Sequence, residues 1–380
     1  MTTIYLIRHA EAEGNLYRRI HGQYNSLITP RGKKQIAALE KRFVDIQIDF
    51  VYSSDLLRAK ETAGAIYQSH GLELSLSPQL REVNMGVWED LTWGEVERFE
   101  PKQLEYFNHD PSLWNIDGCE DFYSLQKRIT GAIQSIAAKH DGKTIAIFSH
   151  GSAIRTFMCG AFDVTPQEIK RIPFCDNTAV ALLYVDNKVV TVDYQSDNSH
   201  LSEELSTFAN QKWWRENTTF DSSNLRFVPF DLKNDAVRYR EYRRDAWSAI
   251  FGTVPPPADW LQNAIKHAGD HSRAVSLALI YDTPVGMIEL AAGQGADENV
   301  GMIEFFYMAN AHRRTGIAVQ LLGQAVSVYR SLGREKIRLT VSERNEQTLA
   351  FCEKYGFGKA GEFVIAGGRH MILELDIKVR

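Results

Sequence analysis

At 380 residues the chain exceeds what one ordinary hydrophobic core organises, so two domains are expected. Its 44% hydrophobic and 24% charged residues exclude both a disordered chain and a membrane-embedded one. A formal net charge of -5 and a pI near 6.1 give no general attraction to nucleic acid or anionic lipid, so any anion must be held by a local pocket.

In chain order, the first half alternates short apolar runs with amphipathic stretches. Ile4 to Ile7 reads as a strand, Thr29 opens a helix-like segment, Phe50 to Tyr52 is a second strand, and a second helix follows from Asp55. In that helix Leu56, Ala59, Ala63 and Ile66 recur at three- and four-residue steps, which leaves Arg58 off the packed face. Thr144 to Phe148 is a continuous apolar run after the Asp141-Gly142 turn signal and reads as a strand buried on both faces. This is the α/β pattern of a mostly parallel sheet. Ala179 to Val185 and Val189 to Tyr194 then form an expected antiparallel pair around Asp186-Asn187.

Regular alternation stops there. The segment from about Glu203 to Ser223 is polar with aromatic interruptions at Phe208, Trp213 and Trp214, which places a domain boundary in it. The expected layout is a first domain over residues 1–205, a connecting segment over 206–222 and a second domain over 223–380. Leu225 to Phe230 opens the second domain as a strand, Tyr239 to Phe251 follows as a helix, and Pro255-Pro256-Pro257 marks an exposed loop.

The reactive groups of the first half each follow a strand: Arg8-His9 after the first, Ser53 to Arg58 after the second, His150-Gly151 after Thr144 to Phe148. Open α/β sheets bind ligands beyond the carboxyl ends of their strands, so these groups can converge. Two guanidiniums clamp a phosphoryl group through bidentate charged hydrogen bonds, a task that fits Arg8 and Arg58. A neutral, oriented histidine can attack phosphorus, which points to His9, with His150 as donor to the phosphoryl oxygens. A carboxyl group must protonate the leaving alkoxide and later activate water, and Glu82 is the expected one. Singly, each has a plainer explanation, since strand-end histidines are usually structural and exposed arginines usually solvated.

Taken together, Leu6-Ile7-Arg8-His9-Ala10-Glu11, Ser53 to Ala59, Leu80-Arg81-Glu82 with Gly86-Val87-Trp88-Glu89, and Ser149-His150-Gly151 resemble the histidine phosphatase family, the phosphoglycerate mutase-like superfamily, over roughly the first two hundred residues. The resemblance implies a three-layer α/β/α fold, His9 as phosphorylated nucleophile, Arg8, Asn15, Arg58 and His150 as phosphate ligands, and Glu82 as proton donor. The chain departs from the family pattern at Ala10, Ala12 and Asn25, where Gly, Thr or Ser, and Asp are usual. No arginine cluster follows Glu82, only the stretch from Trp88 to Trp114 with its acidic and aromatic residues, which favours a phosphatase over a mutase-type phosphotransferase.

In the second half Gly301 to Met308 reads as an apolar strand, followed by His312-Arg313-Arg314-Thr315-Gly316-Ile317-Ala318 and an amphipathic helix carrying Val319, Leu322 and Val326. Backbone N–H groups at such a loop and helix N-terminus can face a pyrophosphate; alone, a tight turn with basic flanks is the plainer reading. Lys336 to Val341 reads as the next strand, then Asn345, a helix through Ala350 and Phe351, and Tyr355-Gly356-Phe357. This order resembles the GNAT acetyltransferases, a mixed α/β fold, over about residues 223–380. The resemblance implies acetyl-CoA or another acyl-CoA, its pantetheine alongside Phe306, Tyr307 and Met308, its pyrophosphate on Arg313, Arg314, Thr315, Gly316, Ile317 and Ala318, and Asn345 as a further cofactor-binding residue. Glu304 is the expected base, or else only the polar member of an alternating strand. Cys352 occupies the position of the family's usual acid, a Tyr, and Tyr355 is expected to pack.

The combined expectation is a bifunctional enzyme that hydrolyses a small phosphomonoester and N-acetylates a small amine, the fusion suggesting one metabolite bearing both groups, such as an amino-sugar phosphate. The alternative keeps the phosphatase and makes the second domain a non-catalytic acyl-CoA-binding module. Cys119, Cys159, Cys175 and Cys352 are scattered, with no Cys-x-x-Cys pair, so reduced thiols and no metal site are expected. With no targeting pattern before Ile4 and no bilayer-length apolar run, the expected address is the cytoplasm, without a membrane or nucleic-acid partner.

Overall fold

A computed structural model of the chain describes residues 1–211, 223–256, 258–365 and 368–379. Trp213 and Trp214 of the expected connecting segment, and Pro257, lie outside the described residues. The chain divides into two compact units, Met1–Leu91 with Val96–Asp221 and Thr92–Glu95 with Ser222–Arg380.

The first unit is built on six strands: β1 (Thr2–Arg8), β2 (Phe50–Ser53), β3 (Leu74–Leu76), β4 (Thr144–Ser149), β5 (Val180–Asp186) and β6 (Val189–Asp197). Their order is β3-β2-β4-β1-β5-β6, with β1 to β4 mutually parallel and β5 and β6 antiparallel. Side chains alternate across a strand. Tyr5 and Ile7 therefore share a face with Val51, Ala146 and Phe148, packed by Leu39 and Phe43 of the helix Pro30–Phe43 and by Ala63 and Ile66 of the helix Leu57–Tyr67. On the other face Thr2 donates to the carbonyl of Ala137 in the helix Phe122–Lys139. The result is a three-layer α/β/α unit. The β5–β6 hairpin turns at Asn187 and Lys188, whose φ angles of 48° and 70° match the twist of the paired strands.

The helix expected from Asp55 starts two residues later. Leu56 is extended, its N–H donates to Ser54 Oγ at 3.2 Å, and the N–H of Leu57 donates to Asn25 Oδ1 at 3.0 Å. Arg58 thus sits in a capped first turn at the end of β2. Ser206 and Thr207, expected in the connecting segment, pack in the first unit: Ser206 Oγ donates to the buried Asp176 at 2.6 Å, and Gln35 Nε2 donates to Thr207 Oγ1 at 3.0 Å.

The second unit holds β7 (Arg226–Pro229), β8 (Val275–Ile280), β9 (Thr283–Leu290), β10 (Val300–Met308), β11 (Lys336–Ser342), β12 (Gly358–Ile365) and β13 (Gly368–Asp376), in the order β12-β13-β11-β10-β9-β8-β7. Only β10 and β11 are parallel, joined through the helix Val319–Ser331, which is buried from Val319 to Tyr329. This is a mixed α/β unit. The helix expected from Tyr239 begins earlier, at Leu232; its polar opening, with Asn234 and Asp235, carries no apolar periodicity to mark it. Among the described residues no helix is long and apolar enough to cross a membrane.

Two irregularities shape β10. Its register against β9 shifts between Ile303 and Phe305, so Glu304 and Phe305 together oppose Glu289 as a β-bulge. Its pairing with β11 runs only from Val300 to Ile303, whereas β11 continues along β13 to Ser342. Beyond Ile303 the two parallel strands therefore part.

Candidate active sites

In the first unit β1, β4 and β2 end at one edge, with Arg8 level with Ser149 and Ser53 level with Phe148. Alternation sends Arg8 and His9 to opposite faces of that edge. Arg8 Nη1 donates to the carbonyl of Cys175 at 2.6 Å, and Arg8 Nε lies near Gly151 at the start of the helix Gly151–Ala161. His9 is buried, its N–H donates to Ser149 O at 3.0 Å, and its Nδ1 lies 2.7 Å from the carbonyl of Ala10. A carbonyl only accepts, so Nδ1 carries the proton and Nε2 the lone pair.

His150 stands beside it, ring centroids 5.1 Å apart at 52°, fully buried at the N-cap of the helix Gly151–Ala161. Burial first, then the charges of Arg58 and Arg8, hold the His9 imidazole well below its ordinary range, against the opposing hydrogen bond to Ala10. Burial, followed by Arg58, His9 and Arg8, does the same to His150. Arg58 itself is 1% exposed, and burial pushes it down to about 10 against the pull of Glu82 and Glu89.

The guanidinium of Arg58 donates to three carbonyls of one loop: Tyr24 at 3.1 Å, His21 at 3.1 Å and Gly22 at 2.7 Å. Glu89 shapes that loop by accepting from the N–H groups of Gly22, Gln23 and Tyr24, and from Met85. A Cβ on Gly22 would sit 2.5 Å from the carbonyl of Val83, so the loop can close only over glycine. Glu82 accepts from Ser152 N at 3.0 Å, Ala153 N at 2.9 Å and Val83 N at 2.9 Å, which ties it to the same helix N-terminus that His150 caps. Asn15 Oδ1 accepts from Ala12 N, and Asn177 Nδ2 bridges the carbonyl of His9 at 2.9 Å and Asn15 Oδ1 at 3.4 Å.

The structure thus brings Arg8, His9, Asn15, Arg58, Glu82 and His150 to one edge of the sheet. Among the buried polar atoms with no partner are Arg8 Nε and both ring nitrogens of His150. Such atoms are expensive unless something polar satisfies them, and a bound oxyanion would. Asn177 and Thr62, whose Oγ1 accepts from Ala10 N at 2.9 Å, escape single-residue reading because the backbone groups they hold lie more than 50 residues away. Trp88 and Trp114 are buried against each other and against Phe107, so the aromatic stretch builds core.

In the second unit the loop after β10 supplies backbone. Arg314 and Gly316 have φ of 63° and 89°, Thr315 Oγ1 donates to His312 O, and Ala318 caps the helix Val319–Ser331. Among the described residues no acceptor takes the N–H groups of Arg314 to Ala318. Phe306 packs on Phe351 at 5.1 Å beside the parting strands. Tyr307 lies on the other face, stacked on Tyr242 and donating to Asp245 at 2.8 Å, and Met308 is buried. Arg313 turns back from the loop to the carbonyl of Met308 at 2.8 Å and to Asp245 at 2.6 Å. Asn345 caps its helix by accepting from Thr348 N. Glu304 is exposed at the bulge, and Cys352 is buried, its thiol pushed up to about 12 by that burial. Among the described residues no cluster of His, Cys, Asp and Glu is arranged to hold a metal.

Residues 4–198 match the family model described as histidine phosphatase superfamily (branch 1), and residues 237–357 match the acetyltransferase (GNAT) family. Phosphoserine phosphatase 1 of Hydrogenobacter thermophilus is 26% identical over 203 residues, covering 53% of this chain and 96% of that protein. The metal-independent phosphoserine phosphatase of Arabidopsis thaliana is 32% identical over 205 residues, covering 53% of this chain and 84% of its own length. The solved structure of Bacillus stearothermophilus YhfR superposes with a TM-score of 0.51 at 31% identity, covering 53% of this chain and 99% of that one. The chain belongs to branch 1 of the histidine phosphatase superfamily and carries a GNAT-family acetyltransferase domain in its C-terminal half.

Proposed function

We propose that this bifunctional phosphatase and acetyltransferase hydrolyses a phosphomonoester through a phosphohistidine on His9 and acetylates a small amine. The observation that carries the first activity is the buried His9–His150 pair, both rings held neutral within reach of the charges of Arg8 and Arg58. His9, neutral with its lone pair on Nε2, attacks phosphorus as the bond to the leaving oxygen breaks. Arg8, Arg58, Asn15 and His150 take up the charge spread over the phosphoryl oxygens. Glu82 gives its proton to the leaving alkoxide. It then takes a proton from water, whose oxygen attacks phosphorus while the P–N bond breaks, returning neutral His9 and free phosphate.

For the second activity, the open N–H groups from Arg314 to Ala318 and the parting of β10 from β11 fit an acyl-CoA, with the loop on its pyrophosphate and Phe306 to Met308 along its pantetheine. Bound acetyl-CoA supplies an activated acyl group. Glu304 takes the proton from the amine. Cys352, buried with a raised pKa, is not suited to protonate the departing sulfur, so water does so. That same burial favours the second reading, a domain that binds acyl-CoA without turnover.

A metabolite carrying both a phosphate and an amine would link the two activities. The names of the two phosphoserine phosphatases support a phosphorylated amino acid as the first compound to try, ahead of an amino-sugar phosphate. The four free thiols support a reducing, cytoplasmic setting. The test is a screen in which phosphate release and CoA release are read on the same compounds. The account expects both signals from at least one phosphorylated amine or its dephosphorylated product; indiscriminate hydrolysis with no CoA release from any amine would overturn the link.

A further inference from the structure

The second unit buries a charged network that neither the phosphoryl site nor the acyl-CoA loop uses. Glu289, in the apolar run of β9, is fully buried. Its Oε2 accepts from Tyr239 Oη at 2.9 Å and from Arg243 Nη2 at 2.7 Å, and its Oε1 pairs with His267 Nδ1 at 2.9 Å. Arg243 Nε in turn donates to Tyr239 Oη at 2.9 Å. Desolvating these charges is costly, and apolar residues of the same volume would hold the fold as well or better. A network kept despite that cost points to a task for one of its members.

Arg243 is the member with capacity left. Its guanidinium carbon lies 4.0 Å from the centroid of Phe305, 5.4 Å from that of Tyr239 and 5.5 Å from that of Trp260, and its side chain is 13% exposed. Nε and Nη2 are committed to Tyr239 and Glu289, whereas among the described residues no acceptor takes Nη1. The planar fork is therefore fixed in orientation before any ligand arrives, with one donor nitrogen in reserve. The ring beneath it adjoins the expected base in the chain. Glu304 and Phe305 are the two bulge residues that jointly oppose Glu289, so the ring under Arg243 is the chain neighbour of Glu304.

A carboxylate that takes the amine's proton and a cation preset over the ring of the next residue match a small amine that bears an oxyanion. We propose that Arg243 is the specificity residue of the acetyl-transfer site, binding through Nη1 an oxyanion carried by the acceptor amine. Glu289, Tyr239 and His267 are its positioning residues. The inference rests on the acetyl-transfer reading and narrows its acceptor to an amino acid-like or phosphorylated amine, against a plain or polycationic one.

The test uses the full chain with His9→Ala, which keeps phosphate esters intact, and four amines: serine, O-phosphoserine, ethanolamine and phosphoethanolamine. CoA release gives kcat and KM for each, and calorimetry gives acetyl-CoA binding and, in the presence of CoA, serine binding. The chain is expected to favour the oxyanion-bearing amines over ethanolamine by about tenfold or more in kcat/KM, and Arg243→Ala to erase most of that preference through KM. Arg243→Lys, which keeps the charge and loses the fork, is expected to fall between and serves if the alanine variant loses acetyl-CoA binding through misfolding. Serine against phosphoethanolamine separates carboxylate from phosphate as the oxyanion. An equal loss on all four amines, or no preference in the unsubstituted fork, overturns the proposal. Acetyl-CoA binding without CoA release from any of the four overturns the acceptor class and leaves the cofactor reading standing; no acetyl-CoA binding at all brings down both.

Discussion

At the N-terminal site the groups proposed to face the ligand are side chains fixed at the ends of parallel strands, and two of them, His9 and His150, are held neutral by burial among arginines. At the C-terminal loop they are backbone N–H groups presented by left-handed residues at 314 and 316, next to a strand that parts from its neighbour. The first arrangement stores electrostatic free energy before substrate arrives, whereas the second stores geometry. On the proposed function the contrast teaches that one chain can prepare two anion sites by opposite means, and that the two should fail differently when disturbed.

The sharpest separation comes from His9→Ala. Phosphate release should fall on the order of 10⁴-fold, as for loss of a nucleophile, while calorimetric acetyl-CoA binding stays as it was. Arg58→Ala should lower kcat/KM for hydrolysis about 10²- to 10³-fold. It also removes three hydrogen bonds from a buried guanidinium to the carbonyls of His21, Gly22 and Tyr24, so the melting temperature should drop as well. An Arg58→Ala chain with full hydrolysis would break the side-chain account of the first site.

Gly316→Val tests the second site by backbone alone. A Cβ there meets nothing within 4 Å, but φ is 89°, a region that β-branched residues strongly disfavour. Acetyl-CoA affinity should weaken about tenfold with phosphatase activity unchanged, and undiminished affinity would remove the loop from the site.

The two histidines also give the first unit a pH signature. Their folded pKa values lie below the ordinary 6.5, so below that pH the unfolded chain binds protons that the native state refuses. Their contribution is therefore fully present above about pH 6.5 and is lost as pH falls, at roughly 1.4 kcal/mol per pH unit for each histidine. Denaturant titrations from pH 7.5 to 5.0 should show this slope in the first unit, and a phosphate-mimicking oxyanion should flatten it. The smallest effect is expected from Cys352→Ser. The thiol is buried and does not titrate near neutral pH, so CoA release should change by less than about twofold; a tenfold loss would make Cys352 a participant.

The same contrast explains what was legible in the sequence. Arg8, His9, Arg58 and His150 each follow a strand and Glu82 lies in a distinctive local motif, so their convergence could be read from strand ends together with that motif. Asn177 and Thr62 could not, because each reaches across the fold to a backbone group that no spacing rule connects to it. The loop from Arg313 to Ala318 was visible as strand, basic turn and helix, but the side chain of Arg313 folds back to Asp245, which only the packed helix Leu232–Phe251 reveals. Glu289 was hidden within an apolar run, where a lone carboxylate has no local signature until Tyr239, Arg243 and His267 are seen around it.

The central claim is that His9 carries the phosphoryl group. Rapid quenching of the full chain with a ³²P-labelled phosphomonoester, followed by peptide mapping, tests it directly. The account predicts one acid-labile, base-stable phosphoryl group per chain, on the peptide containing His9 and absent from His9→Ala. Steady release of phosphate with no trapped phosphoenzyme, or label on any other residue, would contradict it.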